Sequence, residues 1–198
     1  AQVDLDAPGR LYMGISSAGR SPKYAFQRSI GALLYHASPQ TETLTAEECD
    51  PYWTVVAYFN TLRELGGALV MMYDDVQATM NSIAQLLEKP VRTEMAHLEL
   101  SSRVDAADIP QYVLELERPY PEQAISVALA TNMISVGVDI PRLGAMIING
   151  QPKSMAEYIQ ASARVGRGSL AGVVLTVLNH RRARDRAHFE SFRPWHQK

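Results

Sequence analysis

The chain has 198 residues, of which 46% are hydrophobic, and a formal charge of −2. That is enough apolar material for one well-buried domain, and the composition excludes a disordered or fibrous chain. No apolar run approaches the ~20 residues of a bilayer span, no signal-peptide pattern is present, and the lone Cys49 excludes an intrachain disulfide framework, so a cytoplasmic setting and no membrane contact are expected.

Arg10–Ile15 reads as a first strand, followed by a polar turn and a helix from about Pro22 to His36. Gly14-Ile-Ser-Ser-Ala-Gly19-Arg20-Ser21 nearly spells the phosphate-cradling GxxxxGK[ST] loop. Arginine replaces its lysine, and no downstream acidic strand end offers a metal partner, so it reads as a decoy. Ala37–Pro51, with Cys49, is polar and reads as a surface loop. Trp53–Phe59 is the next strand, ending in Asn60-Thr61, with Asn60 the expected cap of the helix that begins at Leu62. A strand delivering a polar turn to a helix N-terminus makes an anion site by geometry, although capping alone also accounts for Asn60. Helical patterns continue to about Leu87, with Asp75 read as a cap where the second begins. Leu98–Ser101 reads as a short strand, and Ala106–Leu116 as a helix capped by Asp105.

The stretch from Ala124 to Arg167 carries the most information. Ile125–Ala130 is apolar without clean alternation, as in a strand buried on both faces, and stops at Thr131-Asn132. It resumes as Ser135-Val-Gly137-Val-Asp139, where a glycine allows close approach to a ligand. Ala145–Asn149 is a second buried strand. Ser154 then caps a helix, with Glu157 at the capping-box position. At ~100° per residue, Glu157, Gln160, Arg164 and Arg167 share an arc of about 80°, opposite Tyr158, Ile159, Ser162 and Val165. The reading places Gln160 and the two arginines on one helix face at the carboxyl edge of the sheet, where open α/β folds bind ligands. Paired guanidiniums there suit phosphate. The helix macrodipole alone would also favour arginines in a last turn.

Gly172–Asn179 is the final strand, and Arg182–Trp195 reads as one charged helix. Residues 159–198 hold eight Lys or Arg against Asp185 and Glu190 alone, an asymmetry that suits a phosphate-bearing partner, although a solvated helix face explains any single arginine equally well. The histidines show no zinc-ligand spacing, and His180 and His188 read as surface residues.

Ala130-Thr131…Gly137-Val-Asp139-Ile-Pro resembles motif V of superfamily 2 helicases, and Gln160…Arg164-Val-Gly-Arg167 resembles motif VI. The resemblance spans motif IV near residues 53–61, motif V at 125–141 and motif VI at 157–167. It implies a single α/β domain over residues 1–198: a RecA-like, mainly parallel sheet with helices on both faces. That is the second RecA-like domain of a helicase, without the first domain that binds ATP and Mg²⁺. Residues 50–69, the SVGVDIPRLG and GQPKSMAEYIQASARVGR segments and the C-terminal RARDRAHFESFRPWHQ resemble, more narrowly, the helicase subunit of bacterial DISARM anti-phage systems.

By position, the resemblance makes Arg164 and Arg167 arginine fingers and Gln160 a residue that positions nucleotide or water. It sets Gly137 and Asp139 against the nucleotide, Asp139 toward ribose or an arginine. Thr131, and more weakly Asn60 and Thr61, fall on the nucleic-acid backbone, with Arg181 and Arg193 adding basic contacts. DNA is the expected strand, with RNA the variant, and defence-system subunits are further partners. The chain alone is expected to be inactive. Ala161, Ala163 and Val136 depart from the arginine or glycine of many relatives, which bears on unwinding more than on ATP hydrolysis. A RecA-like module kept only for docking nucleic acid or protein is the alternative.

Overall fold

The computed structural model describes residues 8–38, 44–93, 95–132 and 139–197. Six strands form one sheet: β1 (Arg10–Ser16), β2 (Val55–Phe59), β3 (His97–Leu100), β4 (Val127–Ala130), β5 (Ala145–Asn149) and β6 (Gly172–Leu178). The order is β1-β6-β5-β2-β4-β3, and every pairing is parallel. Parallel neighbours cannot be joined by tight hairpins, so connecting segments cross the sheet and cover both faces.

Between strands run α1 (Pro22–His36), α2 (Ala46–Trp53), α3 (Leu62–Met71), α4 (Gln77–Leu87), α5 (Ile109–Glu117) and α6 (Met155–Ser162); α7 (Ala183–Glu190) and α8 (Phe192–His196) follow β6. All five residues of β2 are buried, and its side chains divide between two cores. Val55, Ala57 and Phe59 face Phe26, Ile30 and Leu34 of α1 and Leu65 of α3. Val56 and Tyr58 face Leu116 of α5 and Tyr158 and Ala161 of α6. The continuous apolar runs of β2, β4 and β5 therefore mean burial on both sides.

Five local expectations need correction. The loop expected over Ala37–Pro51 contains α2, begun by a capping box in which the Glu48 amide donates to Thr45 Oγ1 (3.2 Å) and the Thr45 amide to Glu48 Oε2 (2.8 Å). Its Cys49 is buried, and Trp53 ends this helix rather than opening β2. Asp75 caps nothing: it lies in a π-helical turn, Met72–Val76, that joins α3 to α4. Asp105 accepts from the Ala107 amide at 2.9 Å in a turn, and α5 begins later, at Ile109. The terminal helix is two helices, parted at Ser191, whose amide and hydroxyl both donate to Ala187 O. Pro194 lacks the N–H that a continuous helix would direct at Glu190.

Candidate functional site

The predicted site residues fall at two opposite edges of the sheet. At the carboxyl edge, Asn60 follows β2, Thr131 follows β4, Gly150-Gln151 follow β5 and Asn179 follows β6. Thr61, not Asn60, caps α3, its hydroxyl accepting from the Glu64 amide at 3.2 Å. Asn60 instead ties two strand ends together, its amide donating to Asn149 O (3.0 Å) and Gly150 O (3.4 Å). The Thr131 amide donates to Leu100 O at 3.2 Å, extending the β3–β4 pairing, and the residue is only 5% exposed.

Asp185 organises this edge. Its fully buried carboxylate accepts from the Gln151 amide at Oδ1 (3.1 Å) and the Asn179 amide at Oδ2 (2.9 Å), so α7 is anchored to the ends of both β5 and β6. Gly150, at φ +78, donates to Val177 O, and a Cβ there would crowd that carboxylate at 3.2 Å in a backbone conformation that favours glycine. Arg182 reaches across to Glu64 at 3.0 Å, while Arg181 and Arg193 are exposed.

Arg164 and Arg167 are elsewhere. The expectation of one helical face fails because α6 ends at Ser162, and both arginines lie in the turns beyond it. The Gly166 amide donates to Leu143 O, just before β5, at 2.8 Å. At φ +64, Gly166 lies against the first residue of β6, where a Cβ would sit 2.4 Å from the Gly172 Cα. Arg10, first residue of β1, donates from Nε to Val165 O at 2.7 Å. The turn therefore sits at the amino edge, not the carboxyl edge. The reason is topological: a helix joining two parallel strands must run back along the sheet.

Within that turn Arg167 makes an ion pair with Asp139, which the segment before β5 brings to the same edge. Thus the structure joins Arg167 with Asp139 and keeps Arg164 on the same turn. Gln160 is exposed on the last stretch of α6, and Gly137 lies outside the described residues. Glu157 is occupied: Tyr58 Oη donates to Oε1 and the Lys153 amide to Oε2 (3.1 Å). Burial, reinforced by this carboxylate, raises the Tyr58 hydroxyl's pKa and keeps it a donor. Ile159, expected toward the sheet, is exposed, and Ala161 takes that place.

Two arginines at this edge had no assigned part. Arg142 donates to Leu116 O, Asp50 O, Asp50 Oδ1 and Thr54 Oγ1 over 2.7–3.1 Å. Burial lowers its pKa and Asp50 opposes that shift. Arg10 holds the carbonyls of Val165 and, at 3.5 Å, Ala163. His188, expected on the surface, is buried against the ring of Tyr158, and burial followed by nearby His196 pushes its pKa down to about 4. Asp185 carried a readable signal, as one of only two acids in a basic terminal region; Arg10 and Arg142 carried none. Among the described residues, no group of three His, Cys, Asp or Glu side chains could hold a metal ion, and no helix is long and apolar enough to cross a membrane.

A chain of this build has clear relatives. Over 197 residues it is 42% identical to the DISARM protein DrmA of Bacillus paralicheniformis, an alignment covering 96% of this chain and 17% of DrmA. The fold matches a DUF1998 helicase, MrfA, bound to DNA, with a TM-score of 0.66 at 14% identity over 97% of this chain and 22% of that one. It also matches S. cerevisiae Dbp5 bound to RNA and ADP BeF3, with a TM-score of 0.56 at 14% identity over 98% of this chain and 40% of that one. The chain thus spans a small part of each relative. Residues 59–169, from the end of β2 through the arginine turn, match the helicase conserved C-terminal domain family. This chain belongs to that family, as the second RecA-like domain of a superfamily 2 helicase.

Proposed function

We propose that this domain is the arginine-bearing half of an ATP-driven motor that moves on DNA, in the cytoplasm and in anti-phage defence alongside other defence-system subunits. The observation that carries the reading is the Arg167–Asp139 ion pair on a turn shared with Arg164 and braced by Gly166 against β6. The donor set fits a polyphosphate, since two guanidiniums offer planar forks of N–H groups that never lose their charge. A first RecA-like domain of the same polypeptide would hold ATP and Mg²⁺. Bound there, ATP supplies the phosphoryl bond to be broken.

The part played by this chain is electrostatic. Asp139 holds the Arg167 guanidinium in one orientation before the domains close. Arg164 and Arg167 then stabilise negative charge as it spreads over the phosphoryl oxygens, with Gln160 positioning nucleotide or water. Asn60, Thr61, Thr131, Arg181 and Arg193 at the far edge meet the nucleic-acid backbone. The likeness to DrmA, a DISARM protein, supports the part in defence.

The test is DNA-stimulated ATP hydrolysis by the full parent protein. Arg164→Ala and Arg167→Ala should each lower turnover by about 10³-fold, the range of arginine fingers, with little change in DNA affinity. Lysine at either position should rescue poorly, because an ammonium cannot form the fork. Near-normal turnover in both alanine variants would sink the motor and leave a docking module.

A further inference from the structure

A cleft of about 270 Å³ opens beside the carboxyl edge, between the start of α6 and the α7–α8 corner. Gln151, Lys153, Met155, Arg184, His188 and Trp195 line it. Two polar residues of its lining are buried: Gln151 is 4% exposed and His188 6%. Gln151 Nε2 donates to Met155 Sδ at 3.1 Å, but Gln151 Oε1 and His188 Nε2 are both buried without a hydrogen-bond partner. Leaving such atoms unmade costs stability, and a group able to meet them would recover it. Because burial holds the His188 pKa near 4, the ring is neutral at pH 7 and does not add a charge.

The rim differs in kind. Trp195 is 49% exposed, a large aromatic side chain left half open, and Lys153 and Arg184 beside it are exposed cations. No Asp or Glu lines the cleft. Of the acids nearby, Asp185 is committed to two backbone amides and Glu157 to Tyr58 and Lys153 N. A phosphate alone would use the cations and leave the tryptophan and the orphaned polar pair idle. A purely apolar segment would leave the polar pair unmet. A nucleobase meets all three, with a π face, a hydrogen-bonding edge and phosphates on either side.

We infer that this cleft holds one unstacked base of a single strand, stacked on Trp195, with its flanking phosphates on Lys153 and Arg184 and its polar edge toward Gln151 and His188. The inference rests on the reading that the carboxyl edge carries nucleic acid, and it adds a base-holding subsite to that edge.

The chain has two tryptophans. Trp53 is buried, stacked 4.0 Å from the Tyr120 ring and covered by the Arg92 guanidinium, so a change in emission on titration reports Trp195. The experiment titrates the 198-residue chain with a short oligodeoxythymidylate and, separately, with an abasic strand of equal length. Intrinsic fluorescence and the anisotropy of a dye on the strand are read together. The thymidylate should quench Trp195 and the abasic strand should not. Trp195→Ala should weaken thymidylate binding about 10-fold while leaving abasic binding unchanged, and Trp195→Phe should restore most of the loss. Gln151→Leu, which keeps the packing but removes the orphaned acceptor, should weaken it by a smaller factor. Equal affinity for both strands, without quenching and with Trp195→Ala unaffected, would overturn the base site and leave phosphate binding intact. Absence of salt-sensitive binding to either strand would overturn the nucleic-acid reading itself, and the base site with it.

Discussion

The two edges of this sheet are fastened by different side chains. At the carboxyl edge the buried Asp185 carboxylate gathers the amide N–H groups of Gln151 and Asn179, and the Asn60 amide takes the carbonyls of Asn149 and Gly150. At the amino edge guanidiniums gather carbonyls: Arg10 takes Val165 O, Arg92 takes Trp53 O at 3.1 Å, and Arg142 takes Leu116 O and Asp50 O. The difference teaches how to read an arginine in such a fold. Those that clamp carbonyls at the amino edge are fasteners. Arg167, bound to a carboxylate on a solvent-facing turn, is of another kind.

The comparison can be broken at either edge. The largest effect should come from Gly166→Ala, because a Cβ would need a positive φ and would meet the Gly172 backbone at 2.4 Å. A stability loss of about 3 kcal/mol or more is expected, seen as a fall in the urea midpoint at constant m-value. Gly168→Ala, also at positive φ but with open space around it, is the control and should lose only about 1 kcal/mol. Equal losses would mean that the backbone contact does not brace the turn.

Asp185→Asn comes next. The amide keeps one acceptor oxygen and turns an N–H₂ toward a backbone N–H, so one of the two anchoring bonds becomes a clash of donors. About 2 kcal/mol should be lost, while the amino edge keeps its amide-exchange protection. An unchanged urea midpoint would show that the carboxylate is not the anchor described above.

The smallest effect is in pH. His188 is neutral in the fold, with a pKa of about 4 against an ordinary 6.5, so between these values only the unfolded chain takes up the proton. Its contribution is whole above pH 6.5 and is lost as pH falls toward 4. Nearby His196 works in the same direction as burial, and Asp185 against it. Between pH 7.5 and pH 5 the wild type should lose about 1 kcal/mol more than His188→Phe, which keeps a ring against Tyr158 and Phe192. Identical pH dependence in the two proteins would place the histidine in water.

Much of this architecture was legible beforehand. Strands buried on both faces announce themselves as unbroken apolar runs: β5 reads at its observed bounds, β4 and β6 to within two residues, and β2 with its start two residues early. The α2 helix did not, because its polar residues and Pro51 mimic a loop, although Thr45 and Glu48 stand at capping-box spacing. Helical periodicity placed Gln160, Arg164 and Arg167 on one face, but that helix ends at Ser162, before either arginine, and Gly166 then turns the chain at a positive φ. The edge on which they lie follows from chain direction, which periodicity does not contain. Arg10, Arg142 and the cleft at Trp195 are assembled from segments far apart in sequence, and no local pattern marks them.

The sheet order has a consequence for how the chain acquires its structure. Among the described residues the strand beside β1 is β6, so Arg10 cannot pair with Gly172 until nearly the whole domain has been synthesised. Closing so long a loop is entropically expensive, and an all-parallel sheet offers no hairpin to shorten it. Until β6 arrives, Leu11, Met13 and Ile15 sit on an unpaired strand, a hazard for association with other nascent chains. The turn bearing Arg164 and Arg167 leads directly into β6, so that turn is set in place by the same late event that closes the sheet.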